Sequence, residues 1–318
     1  MSRRLVAIVG ATASGKSAAA LRLAQRLGGE IVNGDSRQIY RGMDIGTAKP
    51  MARERQMVRH HLYDVIEPTE TYSLALYVKD ARAALEEIWG RGSFAWLVGG
   101  TGQYVWALLE AWTVPEVPPD AARRAELARF AAERGREALH RRLRAVDATA
   151  AERIDPRNVR RVVRALEVFE ATGVPISEWQ SRGEPAFEWQ AYGLDVRREA
   201  LDARIDERVE EMFAAGIVAE VQALLAAGVP GDAPAMSSIG YREVARRLRG
   251  EITLDEAKAL TKRATRRLVR RQAQWFRRDD PRIAWVPDAD AIERSVGDFA
   301  VAAGRRAAES PERPDTVH

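Results

Sequence analysis

The chain of 318 residues switches repeatedly between short apolar runs and stretches of helical spacing. Residues 5–9 (Leu-Val-Ala-Ile-Val) form an unbroken apolar run, the pattern of a strand buried on both faces. From residue 17 to 27 the period becomes helical, with Ala20, Leu23, Ala24 and Leu27 on one face, and Gly28-Gly29 ends the helix. Residues 30–33 read as a second strand, 73–89 as a helix carrying Leu74, Tyr77, Val78, Ala81, Leu85 and Ile88, and 94–98 as a third strand. Residues 114–119, with three prolines, break the pattern and mark a boundary. Beyond it an Arg-rich helical region reaches about residue 180, with residues 158–172 burying Val159, Val162, Val163, Leu166 and Phe169. Strands return at 192–196 and 282–286, with helices between them. Strands alternating with helices predict an α/β protein with a parallel sheet. The divisions expected are a core over 1–114, an inserted helical lobe over 115–190, a return to the core over 191–303, and a polar, disordered tail over 304–318.

Between the first strand and the first helix lie Gly10, Ala11, Thr12, Ala13, Ser14, Gly15, Lys16 and Ser17, which fit G-x-x-x-x-G-K-[ST] at every fixed position. In such a loop backbone N–H groups curl around an anionic oxygen and the helix points its positive end at it. Lys16 would reach the terminal phosphate, and the Ser17 hydroxyl would complete the shell of a Mg²⁺ ion. The fold expected is therefore a P-loop NTPase-like parallel sheet flanked by helices, with an all-helical insertion. Ligands of such sheets bind beyond the carboxyl ends of the strands, so Asp35, two residues past the second strand, is either aimed at the loop's ligand or caps a local turn. The third strand ends in Gly99-Gly100-Thr101 where a nucleotide hydrolase would carry an acidic residue. The site is built to hold a phosphate chain, with no apparatus for hydrolysing one.

Composition sharpens this. Only five of the fifty basic residues are lysines (Lys16, Lys49, Lys79, Lys258, Lys262), so a lysine kept at position 16 points to a place suited to a compact ammonium. The absence of cysteine removes disulfides and thiolate chemistry and fits a cytoplasmic protein. No apolar run is long enough to span a bilayer, and residues 5–9 are too short for a signal peptide. Adjacent His60 and His61 on an extended segment face opposite ways, which argues against a shared metal site. The net charge of +4 is concentrated: residues 258–278 hold nine basic residues and no acidic one. Together with Arg160, Arg161 and Arg164 they suggest basic helical surfaces for a nucleic acid.

Taken with Gly42-Met43-Asp44-Ile45-Gly46-Thr47-Ala48-Lys49-Pro50, Gly34-Asp35-Ser36 with Gln38 and Tyr40, Leu97-Val98-Gly99-Gly100-Thr101-Gly102, Arg164-Ala165-Leu166-Glu167-Val168 and Ile239-Gly240-Tyr241, the chain resembles the bacterial tRNA dimethylallyltransferase family. It departs from that pattern at Gly34, where alanine is expected, and at Gln103, where a hydrophobic residue is expected. The resemblance implies transfer of a dimethylallyl group from its diphosphate to N6 of adenosine 37 in tRNA. It implies Asp35 as general base, with Thr101 and Arg208 as further catalytic groups, Arg208 being chosen over Arg204 one turn earlier. The tRNA anticodon stem-loop would be held by Asp35, Ser36, Arg37, Gln38, Thr101, Arg123, Arg160, Arg161, Arg164, Tyr241 and Arg242, with RNA lying between lobe and core and the enzyme acting as a monomer. Two other enzymes share much of the pattern: a small-molecule or nucleotide kinase, and a prenyltransferase acting on free adenylate. A nucleotide-gated RNA-binding protein is the non-enzymatic alternative.

Overall fold

The computed structural model describes residues 3–179 and 181–308. It opens with β1 (Arg4–Val9), α1 (Lys16–Leu27), β2 (Glu30–Asn33), the short α2 (Ala52–Met57), β3 (His60–His61), α3 (Leu74–Gly90), β4 (Ala95–Gly99) and α4 (Gly102–Leu109). Five helices follow: α5 (Ala121–Arg134), α6 (Arg136–Val146), α7 (Ala148–Arg153), α8 (Val159–Thr172) and α9 (Ile176–Trp179). The chain then forms β5 (Glu188–Leu194), α10 (Arg198–Ala214), α11 (Ile217–Ala226), α12 (Tyr241–Leu248), α13 (Leu254–Trp275), β6 (Ile283–Val286) and α14 (Ala289–Ala308).

All six strands pair in parallel, in the order β3-β2-β4-β1-β5-β6. β1 lies inside the sheet between β4 and β5, and Leu5 to Val9 are wholly buried, as an uninterrupted apolar run requires. Parallel pairing brings the carboxyl ends of β1, β2 and β4 to one edge, in register Val9–Gly99 and Asn33–Val98. The phosphate loop, the Asp35 turn and the Gly-Gly-Thr turn therefore share that edge. One sheet face packs on α1 and α14 through Leu23, Ile31, Trp96, Ile292 and Val296. A second core joins Ile39, Tyr40 and Met43 to Val209, Ile217, Val221, Tyr241 and Val244 of α10, α11 and α12.

The chain divides into two compact units. The first comprises the sheet and its helices; the second comprises Leu74–Leu76 and Glu110–Pro185. The helical unit thus begins before the prolines and ends five residues short of the expected limit, because β5 starts at Glu188. Within it α5, α6 and α8 pack around Leu127, Leu139, Leu143, Val162 and Leu166. The tail expected to be disordered from residue 304 is helical as far as Ala308, and its remaining residues lie outside the described ones.

Candidate active site

The loop from Gly10 to Ser17 turns on three residues of positive φ: Gly10 at 125°, Gly15 at 94° and Ala13 at 65°, the last in a conformation that costs a residue with a Cβ about 1–2 kcal/mol. Lys16 Nζ donates to the Ala11 carbonyl at 3.1 Å. Burial pushes its pKa down to about 8, the Asp35 carboxylate opposing and the Arg208 guanidinium adding to the fall. The Ser14 hydroxyl is buried without a partner among the described residues, a polar atom left for a ligand. The Thr12 N–H, expected among the anion-binding groups, instead donates to Gln272 Oε1 at 2.8 Å. That amide is committed within the protein.

Asp35 sits in a turn braced by Asn33, which is fully buried at the end of β2. The Asn33 side chain accepts from the Asp35 N–H at 2.8 Å and donates to the carbonyls of Asp35 (3.0 Å) and Leu62 (2.9 Å). Asp35 Oδ1 accepts the Arg37 N–H at 2.8 Å, so the local-turn reading holds for one oxygen. Among the described residues the other oxygen has no hydrogen-bond partner. The ends of β2 and β4 come so close that a Cβ at Gly99 would lie 2.1 Å from the Gly34 carbonyl oxygen. That approach lets Thr101 bind the turn: its Oγ1 accepts the Ser36 N–H at 3.0 Å and meets Ser36 Oγ at 3.2 Å. Thr101 serves the Asp35 turn directly. Arg37 donates to the Pro234 carbonyl at 3.1 Å.

Gln38 is buried, and its Nε2 donates to the carbonyls of Thr47 (3.0 Å) and Ala48 (2.9 Å). Both donors are consumed, so Gln38 has only its acceptor to offer a ligand. The segment that fixes it is itself anchored twice. Lys49, its side chain only 1% exposed, donates to the Tyr40 carbonyl, to Asp44 at 2.8 Å and to Asp64, which also pairs with Arg55 at 2.6 Å. Glu220 of α11 accepts the N–H groups of Asp44 (3.0 Å), Ile45 (2.8 Å) and Gly46 (3.4 Å) and the Tyr241 hydroxyl. Tyr241 is wholly buried, so its place among RNA-contacting residues is corrected: it props the segment behind Gln38. The neighbouring Arg242 is exposed and pairs with Glu243 at 2.6 Å. Glu220 and Asn33 leave no signal in the sequence, since a lone Glu on a helix and an Asn closing a strand carry no distinguishing spacing.

The helix α10 presents two arginines to this edge. Arg204 donates to the Ser14 carbonyl at 3.4 Å, propping the phosphate loop from outside. Arg208 forms no ion pair among the described residues; burial lowers its pKa, while Asp35 and Glu211 raise it. Lys16, Asp35 and Arg208 thus fall within one electrostatic neighbourhood. The expectation of an unopposed basic helix is overturned. Lys258 and Lys262 of α13 pair with Glu210 at 2.7 and 2.6 Å, and Arg266 pairs with Asp202 (3.3 Å) and Asp206 (2.6 Å), all three acids from α10. Arg277 is paired with Asp279, and Arg278 with Asp195. Arg263, Arg267, Arg270 and Arg271 remain exposed without ion pairs among the described residues, and their spacing sets them on one face.

In the helical unit the expected RNA-binding arginines separate into two kinds. Arg160 and Arg161 are exposed and unpaired among the described residues. Arg164 donates to Glu167 at 2.6 Å and to the Val117 carbonyl at 3.1 Å, and Arg123 is forked on Glu170 and also paired with Glu126 at 2.5 Å. These two arginines are tied into the unit's own packing. Glu167, 3% exposed, also accepts from Arg124 Nε and Nη2, each at 2.8 Å, and from the Asp120 N–H. Burial raises its pKa, but the Arg124 and Arg164 hydrogen bonds outweigh this and leave it lowered.

No cluster of three or more His, Asp or Glu that could hold a metal exists among the described residues. Mg²⁺ keeps most of its waters and binds through substrate phosphates plus one or two protein oxygens. An exposed Ser17 hydroxyl in the first turn of α1 beside a phosphate cradle fits a cation delivered with its anion.

Sheet, loop and charges define a phosphate-loop α/β protein with a carboxylate beside the loop and, among the described residues, no acidic side chain in the Gly-Gly-Thr turn after β4. The chain belongs to the IPP transferase family, whose model matches residues 38–279. A model described as isopentenyl transferase matches residues 3–65. The tRNA dimethylallyltransferase of Roseiflexus sp. (strain RS-1) is 52% identical over 289 residues, covering 91% of this chain and 94% of that one. That of Carboxydothermus hydrogenoformans is 44% identical over 96% of this chain and 98% of its own. The solved structure of the tRNA isopentenylpyrophosphate transferase from Bacillus halodurans superposes with a TM-score of 0.68, at 38% identity, covering 96% of this chain and 98% of that one.

Proposed function

We propose that this protein transfers the dimethylallyl group of dimethylallyl diphosphate to N6 of adenosine 37, beside the anticodon of tRNA, and releases diphosphate. Its family membership supports the reaction class. The observation that carries the site assignment is the grouping of Lys16, Arg208 and Asp35 at the carboxyl edge of the sheet: two cations for a departing anion and one carboxylate for a proton.

The bond between C1 of the dimethylallyl group and the ester oxygen of the first phosphate breaks, and its electron pair leaves with the diphosphate. Lys16, Arg208 and the loop amides meet the charge that gathers there. Ser17 would hold the Mg²⁺ that adds positive charge to the same leaving group. The adenine N6 lone pair is drawn into the ring, which makes the amine a poor nucleophile. As the new carbon–nitrogen bond forms, the second Asp35 oxygen takes the N6 proton. Thr101 and Asn33 keep that carboxylate in place through the turn they brace.

A stacked adenine cannot reach a loop at this depth, so the base is flipped out and read by its edge. Gln38, with only its acceptor available, would take an N–H from the everted base, a match to adenine's amino group. Each unit carries exposed arginines suited to phosphates of the anticodon stem-loop: Arg160 and Arg161 in the helical unit, and the open face of α13 in the sheet unit. The enzyme is read as a monomer, and its lack of cysteine suits the cytoplasm.

The test is incubation of the protein with Mg²⁺, dimethylallyl diphosphate and unmodified tRNA, followed by nucleoside mass spectrometry. Adenosine should gain one five-carbon unit at a single position next to the anticodon. Folded protein that yields no such product, or that phosphorylates an acceptor from ATP instead, would refute the assignment.

A further inference from the structure

Gln272 lies in α13, three residues before the helix ends, and is only 4% exposed. Its Nε2 donates to the Gly100 carbonyl at 3.0 Å and its Oε1 accepts the Thr12 N–H at 2.8 Å. A carbonyl can only accept and a backbone N–H can only donate, so these partners fix which end of the amide is which. The side chain ties two turns of the sheet edge, the phosphate loop and the Gly-Gly-Thr turn, to the helix whose outer face carries Arg267, Arg270 and Arg271. It also takes the Thr12 amide out of the set that can face an anion. The amides of Gly15, Lys16 and Ser17 keep no internal acceptor among the described residues.

We infer that Gln272 is a positioning residue of the diphosphate cradle, holding the phosphate loop in its anion-binding shape without touching the substrate. The reason it is glutamine is chemical. Both a donor and an acceptor are needed at the end of a two-methylene stem. Glutamate would lose the donor, methionine would lose both, and asparagine would fall short. The loop needs such a tie because Ala13 holds a left-handed conformation that nothing in its own side chain favours.

This inference rests on the reading of the loop as a diphosphate site, and the experiment separates the two. The full chain and its Gln272→Met variant are titrated with inorganic diphosphate and Mg²⁺ by calorimetry, and with tRNA by filter binding. Thermal melts establish folding. Loss of two internal hydrogen bonds should weaken diphosphate binding, and raise the KM for dimethylallyl diphosphate, about tenfold, with tRNA affinity held within about twofold. Gly100→Ala is the second variant: its Cβ would fall 2.3 Å from Gln272 Nε2, displacing the amide without changing α13, and it should give the same split if the methionine variant does not fold. The double variant should be no worse than the weaker single one, since both cut one tie. Unchanged diphosphate affinity in either folded variant, additive losses, or a parallel fall in tRNA affinity would overturn the role of Gln272. A wild-type protein that ignores diphosphate altogether would overturn the site reading beneath it.

Discussion

A lysine whose pKa burial lowers to about 8 makes a pH-sensitive main anion contact. Burial holds Lys16 near 8 against an ordinary value of 10.5, so its ammonium is intact below about pH 8 and is lost as pH rises through that value. The affinity of the free protein for diphosphate should therefore fall about tenfold per pH unit above 8, with a proton taken up on binding. Calorimetry in buffers of different ionisation enthalpy reads both, and a flat profile across that range would show that the Lys16 ammonium does not titrate there. Folding stability moves the other way. The unfolded chain binds more protons than the folded one between about 8 and 10.5, so this residue's contribution improves with pH in that window. Asp35 is tested by removal of its basicity: Asp35→Asn should lower single-turnover prenylation by about 10²–10⁴-fold with tRNA affinity kept, because the turn's hydrogen bond to Arg37 survives the change. Equal loss of rate and binding would assign Asp35 to RNA recognition alone. Asp35, Lys16 and the phosphate loop were all legible in the sequence through their spacing from strand ends. Gln272, Asn33 and Glu220 were not, because each works through backbone groups that are near it only after folding.

At the scale of the element, α13 has two faces with different duties. Acids spaced one turn apart on α10, at Asp202, Asp206 and Glu210, neutralise Lys258, Lys262 and Arg266, while Arg263, Arg267, Arg270 and Arg271 stay open. The sequence shows nine basic residues in one stretch, and no local pattern tells which of them a distant helix will cancel. Arg267→Ala with Arg271→Ala should weaken tRNA binding and reduce the slope of log affinity against log salt by about 1–2, with little change in melting temperature. Lys258→Ala with Lys262→Ala should leave the salt slope nearly unchanged. Filter binding over a range of salt concentrations compares the two pairs, and equal slopes would remove the distinction between the faces.

For the whole molecule, the two units depend on different kinds of anchor. The sheet unit is built on apolar strands paired in parallel in the order β3-β2-β4-β1-β5-β6. The helical unit has a smaller apolar core and adds a buried carboxylate, Glu167, that gathers Arg124, Arg164 and the Asp120 N–H. Glu167→Ala leaves the Asp120 N–H and two part-exposed arginines without their partner and should destabilise that unit by about 1–3 kcal/mol, visible as an earlier transition on denaturant unfolding. Diphosphate binding should persist in that variant, since the phosphate loop belongs to the other unit. A single unfolding transition shifted as one, with diphosphate binding lost, would contradict this.

What the chain determined on its own was local: runs of apolar residues that make buried parallel strands, helical spacing, and a glycine-rich turn whose shape follows from a few neighbouring torsions. Those properties depend on residues close in sequence, so the sheet, the phosphate loop and the place of Asp35 beyond β2 could be read in advance. Tertiary structure alone decided which charges are cancelled, that Tyr241 and Arg164 are internal supports, and that Gln272 closes a tie 260 residues from Thr12. Hydrogen bonds and ion pairs act over a few ångströms between groups that folding brings together from far along the chain, and no pattern within one segment encodes the partner.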